Sequence, residues 1–296
     1  MKTLVLLGNG AKTERIDIWR WVTCNNLPVV YSMNGKGVIR DTHPNVLGMI
    51  GTWGKANQAL LDCERLIVIG SRLDVRQVSD LTMLDGKEIH LISTDTVRVT
   101  GIRYKNFNTF VKKFKGKFSP WVCDNPTFNK IETIINTLSY KFRGCIVTTD
   151  VGENQIICAN AWDVMCKEQF ITSAGLGTMG FAIPAAIGSC CGKFLREKSV
   201  VAVCGDGGFQ MNIQELETIK CYDLPIKIIV LNNNKLKLVS DFQKEQGLST
   251  ITTVEGYSCP SIKRIAQAYE FKYFKQPSLD KFVKCRQQSI LEINYE

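Results

Sequence analysis

The segment GDGGFQMNIQELETIKCYDLPIKIIVLNNN runs from Gly205 to Asn234. The apolar run Ser199–Cys204 enters it, and a second apolar run, Pro225–Leu231, leads to its asparagines. Two short apolar runs separated by a helical pattern read as a βαβ unit of a parallel sheet, with a right-handed crossover. The carboxyl ends of such strands line the ligand crevice. Asp206 follows one strand and Asn233 the other, so neighbouring strands would bring a carboxylate and an amide carbonyl face to face. Hard oxygen donors of this kind suit Mg²⁺, which keeps several positions for water and phosphate oxygens. Gly205, Gly207 and Gly208 leave the backbone bare, so its N–H groups can approach an anion. The segment therefore asks for a Mg²⁺-bound diphosphate.

The rest of the chain supplies the setting. Its 296 residues are enough for two domains, and 45% apolar with 22% charged residues is the balance of a soluble globular chain. Before residue 112, short apolar strands (Leu4–Leu7, Pro28–Tyr31, Arg65–Ile69, Glu88–Ser93) alternate with helices (Glu14–Asn26, Lys55–Glu64). After residue 128 the alternation restarts with Phe128–Phe142 and Cys145–Thr149, and it ends on the strand Ser289–Asn294. The expected fold class is α/β, with two doubly wound parallel-sheet domains joined by a linker. The expected domains are 1–112 and 128–296, with a linker at 113–127. KKFKGKF, Lys112 to Phe118, followed by Ser119-Pro120 and Asn125-Pro126, reads as a solvated interdomain linker rather than as a nucleic-acid patch.

The net charge of +9 comes from basic residues that are otherwise dispersed, so no nucleic-acid partner is expected. Leu4–Leu7 is too short for a signal peptide core, and no run is long enough for a membrane helix. The twelve cysteines include no C-x-x-C, and His43 and His90 are the only histidines, which argues against zinc. Reduced, core-filling cysteines in a cytoplasmic protein are the expectation. Gly8-Asn9-Gly10 lacks the third glycine and the acidic residue of a dinucleotide fingerprint.

GDG followed by NN roughly thirty residues later resembles the thiamine diphosphate fingerprint. FITSAGLGTMGFAIPAAIGS (Phe170–Ser189), TTDVGENQIICA (Thr148–Ala159) and MIGTWGKANQALLDCERLIVIGSRLDVR resemble segments of the acetolactate synthase large-subunit group, in that group's order. The resemblance implies central and diphosphate-binding domains. It implies thiamine diphosphate and Mg²⁺ as cofactors, with the metal held by Asp206, Asn233 and the Lys235 backbone. Val151, Gly152, Glu153 and Asn154 would touch the diphosphate, and Gly207 and Gly208 would donate backbone N–H groups. Met179, in GLGTMG with Gly177, would prop the cofactor in its bent form, and FAD could sit near Gly70-Ser71-Arg72.

The implied reaction is decarboxylation of a pyruvate-like 2-keto acid and transfer of the two-carbon unit to a second carbonyl compound. No side chain of this chain is assigned to proton transfer. The family's pyrimidine-binding domain, whose glutamate drives cofactor activation, has no counterpart in this stretch. A homo-oligomer or a separate chain supplying that domain is therefore expected, with low turnover by this chain alone and exposed apolar surface around Met179 and Phe209. Lys235-Leu236-Lys237-Leu238 departs from the glycine the family carries after NN, and Phe242 stands where acetolactate synthases have a substrate-selecting tryptophan. Those departures leave open another 2-keto acid lyase or acetyltransferase of the superfamily, and the missing domain leaves open a non-catalytic remnant that binds cofactor or a partner chain.

Overall fold

A computed structural model describes residues 1–96, 98–119, 121, 123–124, 126–166, 169–192 and 199–295. Pro120 and Asn125, named above beside the basic run in the expected linker, lie outside the described residues. The chain divides into two compact units: Met1–Asn129 with Asp163–Lys167, and Lys130–Trp162 with Glu168–Glu296.

In the first unit, β1 (Thr3–Leu7), β2 (Val29–Tyr31), β3 (Val46–Met49), β4 (Arg65–Ile69), β5 (Glu88–Ile92) and β6 (Ile102–Tyr104) form one sheet. Its order is β3-β2-β1-β4-β5-β6, and every pairing is parallel. Each residue of β1 and β4 is buried, as strands covered by helices on both faces require. The glycine turn after β1 and the turn after β4 lie back to back. A Cβ on Gly8 would meet the Gly70 carbonyl oxygen at 2.2 Å, and Gly10 N–H donates to that carbonyl at 3.0 Å. Close backbone packing thus accounts for the absence of side chains at Gly8, Gly10 and Gly70.

The stretch expected to be solvated is partly packed. Phe114 and Phe118 stack at 5.3 Å and join Trp21, His90 and Phe110 in an aromatic cluster. The aromatic residues between its lysines decide this, because each hides apolar area that water disfavours. Lys36 is fully buried against Asp41 at 2.7 Å, and Asp41 Oδ2 also accepts from Val164 N–H at 3.0 Å. That bond fastens the short return of chain around Val164 to the first unit.

The second unit holds β7 (Ile146–Thr149), β8 (Phe170–Thr172), β9 (Val200–Gly205), β10 (Ile226–Asn232), β11 (Lys272–Lys275) and β12 (Ser289–Asn294). The order is β11-β12-β10-β9-β7-β8, again parallel throughout. From β7 the chain steps out to β8 and then returns to the other side of β7 as β9. The strand order therefore reverses between β7 and β9, where a doubly wound sheet opens its crevice. The core beneath is aliphatic, built on Val200, Ala202, Cys204, Ile228 and Val230 with Leu216 and Ile219 from the crossover.

The helical pattern between β9 and β10 is two pieces, Asp206–Met211 and Glu215–Cys221. Asn212 leaves the helical conformation, and its Nδ2 donates to the Gly180 carbonyl at 2.6 Å, a competing bond that short amide side chains make readily. Four of the twelve cysteines (63, 158, 190 and 204) are buried and three (24, 191 and 221) are exposed, so core filling explains only some of them. Among the described residues, no helix is long and apolar enough to cross a membrane.

Candidate functional site

A small cleft of about 60 Å³, partly open to solvent, lies over the carboxyl ends of β7, β9 and β10. Val151, Gly152, Glu153, Asn154, Met179, Gly205, Asp206, Gly207, Gly208, Asn233 and Lys235 all line it. Gly177, in the turn before Met179, does not.

Strand register brings the two polar halves together. Leu231 of β10 pairs with Gly205 of β9, so the residues beyond each end, Asp206 and Asn233, project from adjacent strands. Asp206 is 3% exposed, and its Oδ2 is buried with no hydrogen-bond partner. Burial pushes its carboxyl above the ordinary value, and the Tyr257 hydroxyl and nearby backbone N–H groups offset this only in part. Gln210 Nε2 donates to the Tyr257 hydroxyl at 3.1 Å, which turns that hydroxyl's own proton toward the carboxylate. A buried carboxylate oxygen without a partner is costly unless a cation completes it.

The Asn233 amide is oriented on both ends. Nδ2 donates to Glu153 Oε2 at 3.3 Å and to the Tyr295 hydroxyl at 3.1 Å, while Oδ1 accepts from Lys235 N–H at 3.3 Å. Tyr295 donates in turn to Glu153 Oε2 at 2.7 Å. Lys237 Nζ lies 2.7 Å from Asp241 and 3.7 Å from Glu153, so the chain places a cation inside the cleft.

Asp150 organises the floor. Its Oδ1 accepts from Val151 N–H and Gly180 N–H, each at 2.9 Å, and its Oδ2 from Ala182 N–H at 3.1 Å. This carboxylate ties the 151–154 loop to the glycine-rich segment that carries Met179. Gly152 adopts φ +131°, which a side chain would strain, and Asn154 Nδ2 caps the Asp150 carbonyl at 2.8 Å. A Cβ at Gly207 would stand 2.9 Å from Leu236 and 3.3 Å from Met179, so bare backbone lines the cleft there.

Sequence reasoning missed Asp150, Tyr257 and Tyr295, and it placed Lys237 only as part of the turn after the asparagines. Asp150 carried a usable signal, being an acidic residue directly after an apolar strand and before a glycine loop. Tyr295 depended on the β10–β12 register, in which Asn232 pairs with Asn294. One expectation is overturned: Phe209 is fully buried in the aliphatic core, because the short helix after Asp206 turns its ring inward. Met179 is half-buried, and the apolar side chains left exposed in the cleft's helices and turns are Leu176, Met211, Val239 and Phe242.

Residues 1–107 match the family described as thiamine pyrophosphate enzyme, central domain, and residues 150–290 match thiamine pyrophosphate enzyme, C-terminal TPP binding domain. The chain belongs to the thiamine pyrophosphate enzymes. Within them it is similar to the acetolactate synthase large subunit of Lactococcus lactis, at 31% identity over 93% of this chain and 53% of that protein. It is also similar to the probable acetolactate synthase large subunit of Methanocaldococcus jannaschii (30%, over 96% of this chain and 54% of the relative). The acetolactate synthase isozyme 2 large subunit of Escherichia coli is 31% identical over 82% of this chain and 49% of the relative. The chain thus spans about half the length of the curated relatives it matches.

Proposed function

We propose that the second unit binds thiamine diphosphate through Mg²⁺, held by Asp206, Asn233 and the Lys235 backbone carbonyl. The chain would serve as part of an acetolactate synthase-like enzyme that takes a two-carbon unit from a pyruvate-like 2-keto acid to a second carbonyl compound. The observation that carries this reading is Asp206 Oδ2, buried without a partner at the switch point of the sheet, beside the Asn233 amide. The donor set fits: one carboxylate, one amide oxygen and backbone, with room for phosphate oxygens, is what Mg²⁺ takes. The cofactor, when bound, supplies the decarboxylation and carbon–carbon chemistry. The residues of this chain anchor the diphosphate at Gly207 and Gly208, hold the metal, and shield the site with Met179 and Leu236. FAD near Gly70-Ser71-Arg72 rests on the resemblance alone, since close backbone packing by itself accounts for Gly8, Gly10 and Gly70.

Exposed Leu176, Met211 and Phe242 support a further part of the proposal, that a second copy or a pyrimidine-binding domain covers this cleft. The Lys235-Leu236-Lys237-Leu238 turn that lines the cleft, together with Phe242, supports a second reading in which the reaction is that of another 2-keto acid lyase or transferase of the superfamily. The test is carbon dioxide release and acetolactate formation from pyruvate, with saturating thiamine diphosphate, Mg²⁺ and FAD. It is run with the chain alone and with a pyrimidine-binding domain supplied. Acetolactate is expected when the domain is supplied. Carbon dioxide without acetolactate would favour the second reading, and no turnover in either case would contradict an enzymatic role.

A further inference from the structure

Glu153 stands in the loop expected to touch a diphosphate, yet it is a carboxylate, and a second anion is a poor neighbour for that group. Its contacts give it a different task. Oε2 accepts from Asn233 Nδ2 at 3.3 Å and from the Tyr295 hydroxyl at 2.7 Å, and Oε1 lies 3.7 Å from Lys237 Nζ. A carboxylate accepts hydrogen bonds and donates none, so the end of the Asn233 amide that faces it must be the NH₂ group. At the other end the Lys235 N–H is a donor and requires an oxygen. The two neighbours together permit one of the two amide orientations. That orientation leaves the carbonyl oxygen, with its second lone pair, as the group a cation can take.

We propose that Glu153, with Tyr295, is a positioning residue that fixes the Asn233 amide oxygen as the metal-ligating end, rather than a contact to the diphosphate. The inference rests on the reading of the cleft as a Mg²⁺–thiamine diphosphate site. Outer residues that orient metal ligands change metal affinity by about 10–100-fold when removed. Lys237, shared with Asp241, offsets part of the charge that Glu153 adds.

The experiment measures Mg²⁺ dependence of thiamine diphosphate binding by titration calorimetry, with unliganded thermal unfolding as a check of folding. Glu153→Ala is expected to weaken Mg²⁺ affinity at least tenfold, within the range above. Glu153→Gln, which keeps an acceptor for Asn233 and Tyr295, should recover most of it. The discriminating background is Asn233→Asp. A carboxylate at 233 needs no orienting, since either oxygen serves, and it is repelled by Glu153. In that background Glu153→Ala should leave Mg²⁺ affinity unchanged or improve it, which reverses the sign of the effect. Wild-type binding indifferent to Mg²⁺ would overturn the reading of the site and this inference with it. Mg²⁺-dependent wild-type binding that Glu153→Ala leaves intact would overturn the inference alone. So would an equal loss in both backgrounds, which would mark a direct role for Glu153 in holding the cofactor.

Discussion

Gly208 lies against Asp150, so close that a Cβ at 208 would come within 2.7 Å of the Asp150 carboxylate. The contact joins two segments far apart in sequence and sets the floor of the cleft. Asp150 is 1% exposed, and three backbone N–H groups fix it, so it has no room to swing aside. Gly208→Ala is therefore expected to displace the carboxylate and to cost about 1–3 kcal/mol, as overpacking does. Denaturant unfolding measures this, and a variant as stable as the wild type would show that the floor is softer than its hydrogen bonds imply.

Asp206 sets function against stability. Burial raises its carboxyl in the folded chain. A raised carboxyl binds its proton more tightly folded than unfolded, so it adds stability below its unfolded value, and that contribution is lost as pH rises through the folded value. At neutral pH the ionised group is a liability in the metal-free chain. Asp206→Asn is expected to stabilise that chain by about 1 kcal/mol at pH 7, with the gain shrinking on acidification. The same change should remove Mg²⁺-dependent binding. Urea unfolding from pH 4 to 8, without metal, gives the sign directly.

Glu292 supports the asparagine turn from behind. It is 8% exposed, accepts from the Tyr273 hydroxyl at 2.5 Å, and accepts from Asn232 Nδ2 at 2.8 Å. Asn232 Oδ1 in turn accepts from Asn234 N–H at 3.0 Å, which holds Asn234 at φ +52°. Glu292→Leu should leave Asn232 with a half-buried unpaired amide and cost about 1–3 kcal/mol. Unchanged stability to urea would count against this relay.

Phe242 is 58% exposed on the helix Lys237–Glu245, whose start lines the cleft. The space around it accepts a larger ring, so Phe242→Trp should change stability by less than about 0.5 kcal/mol. If Phe242 meets the second substrate, that variant will shift the ratio of products formed from competing 2-keto acids. Product analysis by mass spectrometry in the reconstituted enzyme decides, and an unchanged ratio would remove Phe242 from the acceptor site.

Strand identity was legible where burial dominates: β1, β4, β9 and β10 are short apolar runs, and their parallel order follows from the helices between them. The Asp206–Asn233 meeting was legible for the same reason, since two carboxyl ends of neighbouring strands leave few other arrangements. The edge strands β3, β6, β8 and β11 were not, because half-exposed runs such as Ile102–Tyr104 carry little apolar signal. Contacts that depend on register also escaped. Tyr295 reaches Asn233 only because β12 pairs with β10 one particular way, and a shift of one residue would have turned it to the other face. Tyr257 comes from an irregular stretch after the helix Lys237–Glu245, where no periodicity guides a reading.

The central claim is that one cation, held by Asp206 and Asn233, fastens thiamine diphosphate to the second unit. Titration calorimetry of thiamine diphosphate into the chain, with Mg²⁺ and again with a chelator, tests it most directly when wild type and Asp206→Ala are compared. The account expects saturable binding by the wild type in Mg²⁺, loss of that binding in chelator, and no binding by Asp206→Ala under either condition. Binding of equal strength without metal, or by Asp206→Ala in Mg²⁺, would contradict it.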